Sequence, residues 1–329
     1  MTYKPPYTVT SNIVNLVAEI SDQVARIEVR ELSAISPRLR KIARIQTLVG
    51  TLEIEGNTLG EEKVTALING KRVLGTALEV SEVEGAIRAY QELPSYQPDE
   101  CSELLRAHAL MMNGILTHPG AFRTTQVGVG SHVAPPAHRV PTLMNELFAW
   151  LRESEDHPLI KSSVFHYEFE FIHPFTDGNG RLGRLWQTAI LQHWRSAFSL
   201  TPTESLIRDQ QQEYYKALEQ ATQNGESSCF IEFMLETILY AIRSSVKSTV
   251  KGSVKTDAQI LAYFRKNPTG TVAVIAKQLG LSTRAIEKHI AALKKENRLI
   301  RTGSPRSGFW EVRDVCGKDS ICGEKDDGH

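Results

Sequence analysis

Apolar positions along the first 240 residues recur at intervals of three and four. Ile13, Leu16, Val17, Ile20, Val24 and Ile27 form one stripe, and Leu39, Ile42, Ile45, Leu48 and Leu52 another, the spacing of one face of an amphipathic helix. The same period predicts helices over about 100–116, 141–153, 159–172, 179–195, 206–222 and 228–246. Pro141 stands in the first turn of its helix, where a missing N–H costs nothing. Thr58–Glu61 and Ser81–Glu84 both fit the Ser/Thr-x-x-Glu capping box, which satisfies the free amides that open a helix.

One stretch breaks the helical period. Residues 120–138, Gly-Ala-Phe-Arg-Thr-Thr-Gln-Val-Gly-Val-Gly-Ser-His-Val-Ala-Pro-Pro-Ala-His, mix β-branched residues, glycines and a Pro-Pro pair, and predict a short hairpin or extended flap. Over 244–255 the periodicity weakens and Ser, Lys and Gly take over, the composition of a linker. Beyond it, Ile260, Leu261 and Phe264 make a first stripe and Val272, Ile275, Ala276 and Leu279 a second. A turn at Gly280-Leu281-Ser282 leads to a third helix with Ile286, Ile290 and Leu293 inward, then Leu299–Arg301 and Phe309–Val312 read as a two-stranded wing. Residues 256–315 therefore predict a winged helix-turn-helix. Residues 316–329 are expected to be a disordered tail.

Composition adds bounds. With 329 residues, 41% apolar and 23% charged, the chain reads as a soluble globular protein of two domains. The longest membrane candidate, Ile231–Ile242, is interrupted by Glu232 and Glu236. The start, Met-Thr-Tyr-Lys-Pro-Pro, lacks the apolar run of a signal peptide. Cys101, Cys229, Cys316 and Cys322 are too few and too scattered for a disulfide framework or a zinc site. Together these predict a cytoplasmic protein without membrane contact. The zero net charge hides a split. Residues 1–242 hold 21 Lys/Arg against 29 Asp/Glu, and residues 255–313 hold 12 against 4. The C-terminal piece is thus expected to meet a different partner.

The chemistry concentrates in His173-Pro-Phe-Thr-Asp-Gly-Asn-Gly-Arg-Leu-Gly-Arg184. Gly178-Asn179-Gly180 predicts a turn that opens a helix, where unpaired amides favour an anion. Arg181 and Arg184, three apart, share a helix face just beyond it, and two fixed cations beside a ring of N–H donors suit a polyphosphate. Asp177 suits Mg²⁺, which takes one or two carboxylates plus substrate phosphates. His173 can serve as a general base near neutral pH.

This run resembles the Fic motif, His-Pro-Phe-x-Asp/Glu-Gly-Asn-Gly-Arg-x-x-Arg, and matches it at every specified position. The preceding Phe165–Ile172 is similar to the family's lead-in helix, and the resemblance spans roughly 45–240. It implies a mainly α fold with an N-terminal helical region (1–100) and a Fic catalytic core with a β-hairpin flap (101–243), to which the residue pattern adds the linker (244–255), the winged domain (256–315) and the tail (316–329). It implies a protein adenylyltransferase that uses ATP and Mg²⁺ to move AMP onto a Tyr, Ser or Thr hydroxyl of a target protein. His173 would take the proton and Asp177 would hold Mg²⁺. Gly178, Asn179 and Gly180 would cradle the α- and β-phosphates, and Arg181, Leu182, Gly183 and Arg184 complete the ATP-binding run, with Arg184 chiefly on the γ-phosphate. Val129, Gly130, Ser131 and His132 resemble the flap along the nucleotide, to which the target would add as a strand. Tyr214-Tyr215 resembles a tyrosine pair near the adenine, Tyr214 being the preferred ring. Seven residues after Tyr215, where relatives often carry asparagine, stands Thr222.

Thr51-Leu-Glu-Ile-Glu55-Gly56-Asn57 resembles the family's inhibitory motif, Ser/Thr-x-x-x-Glu-Gly/Asn, with Gly56 and Asn57 suited to a left-handed helix cap. A carboxylate from Glu55 on Arg184 would occupy the cation that otherwise holds the γ-phosphate. In some relatives the same glutamate assists AMP removal. An alternative is a DNA-binding regulator whose Fic domain senses nucleotide, although a sensor needs neither base nor metal site. Self-modification controlling assembly, and with it a homo-oligomer, is compatible with both. For the winged domain, DNA is expected near Thr283, Arg284 and Lys288, with Arg301 and Arg306 on backbone or minor groove. The competing partner is an acidic protein surface, including that of a second copy.

Overall fold

A computed structural model describes residues 3–31, 37–129, 132–303 and 308–313. The tail with Cys316 and Cys322, Arg306 of the wing loop, and Gly130 and Ser131 of the flap lie outside the described residues. The chain divides into two units, residues 1–246 and 247–329.

The first unit is helical. In order it contains α1 (Ser11–Glu31), α2 (Pro37–Ile54), α3 (Gly60–Ile68), α4 (Ala77–Gln91), α5 (Cys101–Met112), the hairpin β1 (Gly128–Val129) and β2 (His132–Val133), then α6 (Val140–Glu153), α7 (Pro158–Ile172), α8 (Asn179–Trp194), α9 (Thr203–Asp209) and α10 (Gln211–Asn224). Helix α11 (Ser228–Lys266) begins in it. The hairpin pairs antiparallel, Gly128 with Val133 and Val129 with His132. Most of the two stripes read from the sequence turns inward: Ile13, Ile20 and Val24 of α1 and Leu48 and Leu52 of α2 join Phe165 and Phe169 of α7 and Leu182 and Leu185 of α8 in one buried cluster, whereas Ile42 of α2 is 40% exposed. Each such side chain contributes about 1.5–3 kcal/mol by leaving water. Helix α2 runs very close to α9: a β-carbon on Gly50 would lie 2.5 Å from the Ser205 amide nitrogen and 2.6 Å from the Glu204 carbonyl carbon. No larger residue fits there without backbone movement.

Several expected boundaries shift. Neither capping box stands where the motif placed it. The N-cap of α3 is Leu59, with no side-chain bond, and Thr58 instead donates to Glu79. Ser81 and Glu84 lie inside α4, which is capped by a reciprocal Thr76–Glu79 box. The helix read over 206–222 is two, α9 and α10, broken at Gln210. The helix expected to end near 246 continues through the stretch read as a linker and ends at Lys266. Pro141 does sit in the first turn of α6.

The second unit comprises the end of α11, then α12 (Val272–Leu279), α13 (Thr283–Lys295) and the wing β3 (Leu299–Thr302) and β4 (Phe309–Val312), paired antiparallel. Gly280 is left-handed and ends α12, and Ser282 caps α13 through the Ala285 amide. Ile260, Phe264, Ile275, Ile286, Ile290, Leu293, Leu299 and Trp310 form its own core. Among the described residues, no helix is long and apolar enough to cross a membrane.

Candidate active site

The site is the junction between α7 and α8. Helix α7 ends on His173, whose backbone is left-handed at φ 50° and ψ 62°. A β-carbon makes that conformation cost about 1–2 kcal/mol, so surrounding contacts must hold it. The His173 amide donates to the Phe169 carbonyl at 2.9 Å. Asn179 ties the loop across itself: its Oδ1 accepts from the Phe175 amide and its Nδ2 donates to the Phe175 carbonyl, both at 2.9 Å. Phe175 is buried and stacks on His108, with ring centroids 3.7 Å apart. The Gly120 amide donates to His108 Nδ1, which places the ring proton on Nε2, donated to the Asp177 carbonyl at 3.1 Å. Burial pushes His108 down to about 4, so it stays neutral in this role.

Helix α8 opens at Gly178, left-handed at φ 85°, and its backbone ladder begins with the Leu182 amide on the Gly178 carbonyl. The amides of the first turn before Leu182 therefore have no acceptor within the helix. The Glu55 carboxylate lies against this turn at Gly180. A β-carbon on Gly180 would lie 2.5 Å from Glu55 Oε1, so only glycine at 180 admits the carboxylate to that position. The same oxygen accepts from Arg184 Nη2 at 2.7 Å. Arg184 also donates from Nε to Thr51 Oγ1 and from Nη2 to the Thr51 carbonyl. Its side chain is 1% exposed, against 27% for Glu55. Burial opposes its charge, and Glu55, Tyr214 and Glu170 together more than offset this, so the guanidinium is held above its ordinary range.

Arg181 is paired as well, with Glu82 at 3.0 Å and with Asp177 Oδ1 at 3.1 Å. Glu82 in turn accepts from Asn57 Nδ2 at 2.9 Å. Both arginines are thus tied to the segment 51–57, one directly and one through Glu82. The Asp177 side chain is half-exposed. Its Oδ1 is engaged by the Gly178 amide and Arg181, so a cation held here would be met by the other oxygen. The described residues contain no group of three or more metal-ligating side chains. One carboxylate matches Mg²⁺, which keeps several waters and completes its shell with phosphate oxygens.

The remaining expected residues distribute as follows. Leu182 is fully buried in the main core, so only its backbone can face a ligand. Gly183 packs against Glu170 and Phe169. Val129 and His132 are paired in the hairpin. Tyr214 is buried, its hydroxyl 3.0 Å from His166 Nε2, and burial with the nearby Glu170 charge pushes it well above its usual range. The exposed ring of the pair is Tyr215. Thr222 accepts from the Tyr167 hydroxyl and donates to the Leu218 carbonyl, a packing role within α10.

Four residues of the site escaped the sequence reading: His108, Glu82, Arg123 and Glu170. Glu170, three residues before His173 on α7, places Oε2 4.0 Å from His173 Nδ1 and Oε1 3.8 Å from His166 Nε2. Its Oε1 is buried without a hydrogen bond, and burial pushes the carboxyl up to about 7 despite Arg184 nearby. Its helical spacing to His173 was the available signal.

A helix ending on a left-handed histidine, a glycine turn opening a second helix and two buried arginines mark this as a helical domain with its polar groups gathered at one helix junction. Residues 99–191 match the model of the Fic/DOC family, and residues 257–308 match that of an HTH domain. Among solved structures the chain is similar to a Fic family protein from Desulfovibrio desulfuricans G20, with a TM-score of 0.73 and 39% identity, covering 96% of this chain and 100% of that one. It shares its fold with Fic-1 from C. elegans, with a TM-score of 0.64 at 23% identity over 74% of each chain. Among curated proteins it is similar to the protein adenylyltransferase Fic of Nematostella vectensis, 32% identical over 210 residues, 60% of this chain and 47% of that protein. The chain belongs to the Fic family, and it spans about half the length of the curated relatives it matches.

Proposed function

We propose that this protein transfers AMP from ATP to a Tyr, Ser or Thr hydroxyl of a protein target, and that Glu55 holds it inactive. The observation that carries the reading is the Glu55 carboxylate over Gly180 and on Arg184, a built-in anion where phosphate would sit. Relatives named protein adenylyltransferase Fic support the reaction class.

The chemistry follows from the placement of the residues. His173 removes the proton from the target hydroxyl, and the oxygen attacks the α-phosphorus. The bond from that phosphorus to the bridging oxygen breaks, pyrophosphate leaves in line, and a phosphodiester joins AMP to the target. The first-turn amides of α8 with Arg181 and Arg184 stabilise the charge that grows on the phosphates. Asp177 would hold Mg²⁺, which neutralises phosphate charge when bound. Most of the rate enhancement is positioning, since the seat is fixed before the nucleotide arrives. With Glu55 in place, the γ-phosphate lacks Arg184 and the nucleotide cannot settle in the attacked posture.

The test uses ATP labelled at the α- or γ-phosphate with Mg²⁺ and cell lysate. Glu55→Gly should transfer α-label at least tenfold faster than the native chain, the effect of relieving about 1.4 kcal/mol of competition. His173→Ala should abolish transfer in that background while retaining ATP binding. Arg184→Ala should remain inactive with or without Glu55→Gly, since both changes act on one contact. Transfer of γ-label alone would reject AMP transfer, and equal rates for Glu55→Gly and the native chain would reject the brake.

A further inference from the structure

Arg123 lies between α5 and β1, at the start of the flap stretch but with no role read from the sequence, and is 3% exposed. All three of its guanidinium nitrogens donate to main-chain oxygens. Nε donates to the His173 carbonyl at 2.8 Å, and Nη2 to those of Pro135 at 2.6 Å and Ile172 at 3.3 Å. Nη1 donates to the Thr125 carbonyl at 2.9 Å. Its own amide donates to the Pro174 carbonyl at 2.9 Å. Among the described residues no carboxylate pairs with it. A cation taken out of water without a counter-charge is costly unless each donor finds an acceptor, and here the fork of the guanidinium is matched to four carbonyls.

The four acceptors fall into two pairs. Ile172 and His173 carry carbonyls at the end of α7, where the helix offers no amide of its own, on either side of the left-handed turn that aims the histidine. Thr125 and Pro135 are the two feet of the β1–β2 hairpin. One buried group therefore fixes the base and both feet of the hairpin to each other. We infer that Arg123 is a positioning residue that keeps the hairpin edge, where a target segment would pair, in register with His173, so that the target hydroxyl arrives at the base. The inference rests on the functional reading above. A lysine cannot replace it, since one ammonium cannot reach carbonyls spread over both segments.

The test compares Arg123→Lys and Arg123→Ala in the full chain carrying Glu55→Gly. Three quantities are read: the rate of α-label transfer, ATP affinity, and backbone hydrogen exchange. Transfer should fall about 10- to 100-fold, the scale of a small misplacement of reacting groups, while ATP affinity stays within about threefold. Exchange should quicken together over 124–136 and 172–176 and stay unchanged in α1 to α4. Added guanidinium ion should restore part of the transfer by Arg123→Ala and none by an inactive His173→Ala. Unchanged transfer would overturn the inference, as would faster exchange throughout 37–242, which marks a general loss of stability. If the Glu55→Gly parent transfers no α-label, the functional reading fails. Exchange then decides the coupling separately: joint loosening of the two segments upholds it, and loosening of only one overturns it.

Discussion

His166 shows how much of the site is set by single buried side chains. It is fully enclosed one turn before Glu170, its Nδ1 2.7 Å from Gln187 Oε1, and burial pushes it down to about 4. A histidine neutral in the fold but protonated in the unfolded chain contributes stability above its ordinary pKa near 6.5, lost as pH falls toward 4. Glu170 has the opposite sign. Pushed up to about 7, it is protonated in the fold where an unfolded glutamate is ionised, so its contribution is present at low pH and lost as pH rises through 7. Stability followed by thermal melting from pH 7 to pH 4 should therefore fall less in His166→Gln than in the native chain, by up to about 3 kcal/mol. It should fall more in Glu170→Gln. Identical pH profiles for all three would show that neither group is shifted. The residues of the phosphate motif were legible in the sequence because their order and spacing are local. Arg123 and His108 were not, because their partners are main-chain atoms brought close only by the fold.

At the scale of elements, periodicity located helices well and boundaries poorly. The stripes of α1 and α2 are largely buried, with Ile42 of α2 an exposed exception, yet both capping boxes were misplaced. Thr76–Glu79 won because Glu79 also accepts from Thr58, so one carboxylate closes α4 and holds the turn before α3. Thr76→Ala should therefore lower stability by about 1 kcal/mol, whereas Ser81→Ala, inside α4, should change it by less than about 0.5 kcal/mol. Denaturant melts of the two variants check this, and equal losses would contradict the observed cap. The stretch 244–255 is a helix in spite of its Ser, Lys and Gly content, since a long helix propagates through weak formers more easily than it restarts.

At the scale of the whole molecule, the charge asymmetry falls on different units. The second unit presents the exposed Arg284 and Lys288 on α13, while Lys294 and Arg301 lie over Trp310 at 5.2 and 4.9 Å. Arg301, expected on nucleic acid, is thus already engaged by a ring. We expect the full chain to bind duplex DNA with an affinity that falls steeply with salt, and Arg284→Ala to lose sequence preference more than bulk affinity. Titrations at several salt concentrations check this, and absence of binding even at low salt would assign the basic face to an acidic protein instead. In the first unit, the tight seating of Gly50 against Glu204 and Ser205 has a kinetic consequence. Helix α2 has no room to slide or roll as a body, so Glu55 can leave Arg184 only by rotamer change or by fraying of the last turn before Gly56. Such events run on nanosecond to microsecond timescales, faster than the about 1–10³ turnovers per second typical of enzymes. If Glu55 is the brake proposed above, it behaves as a rapidly flickering latch whose closed fraction, rather than its opening rate, sets the output.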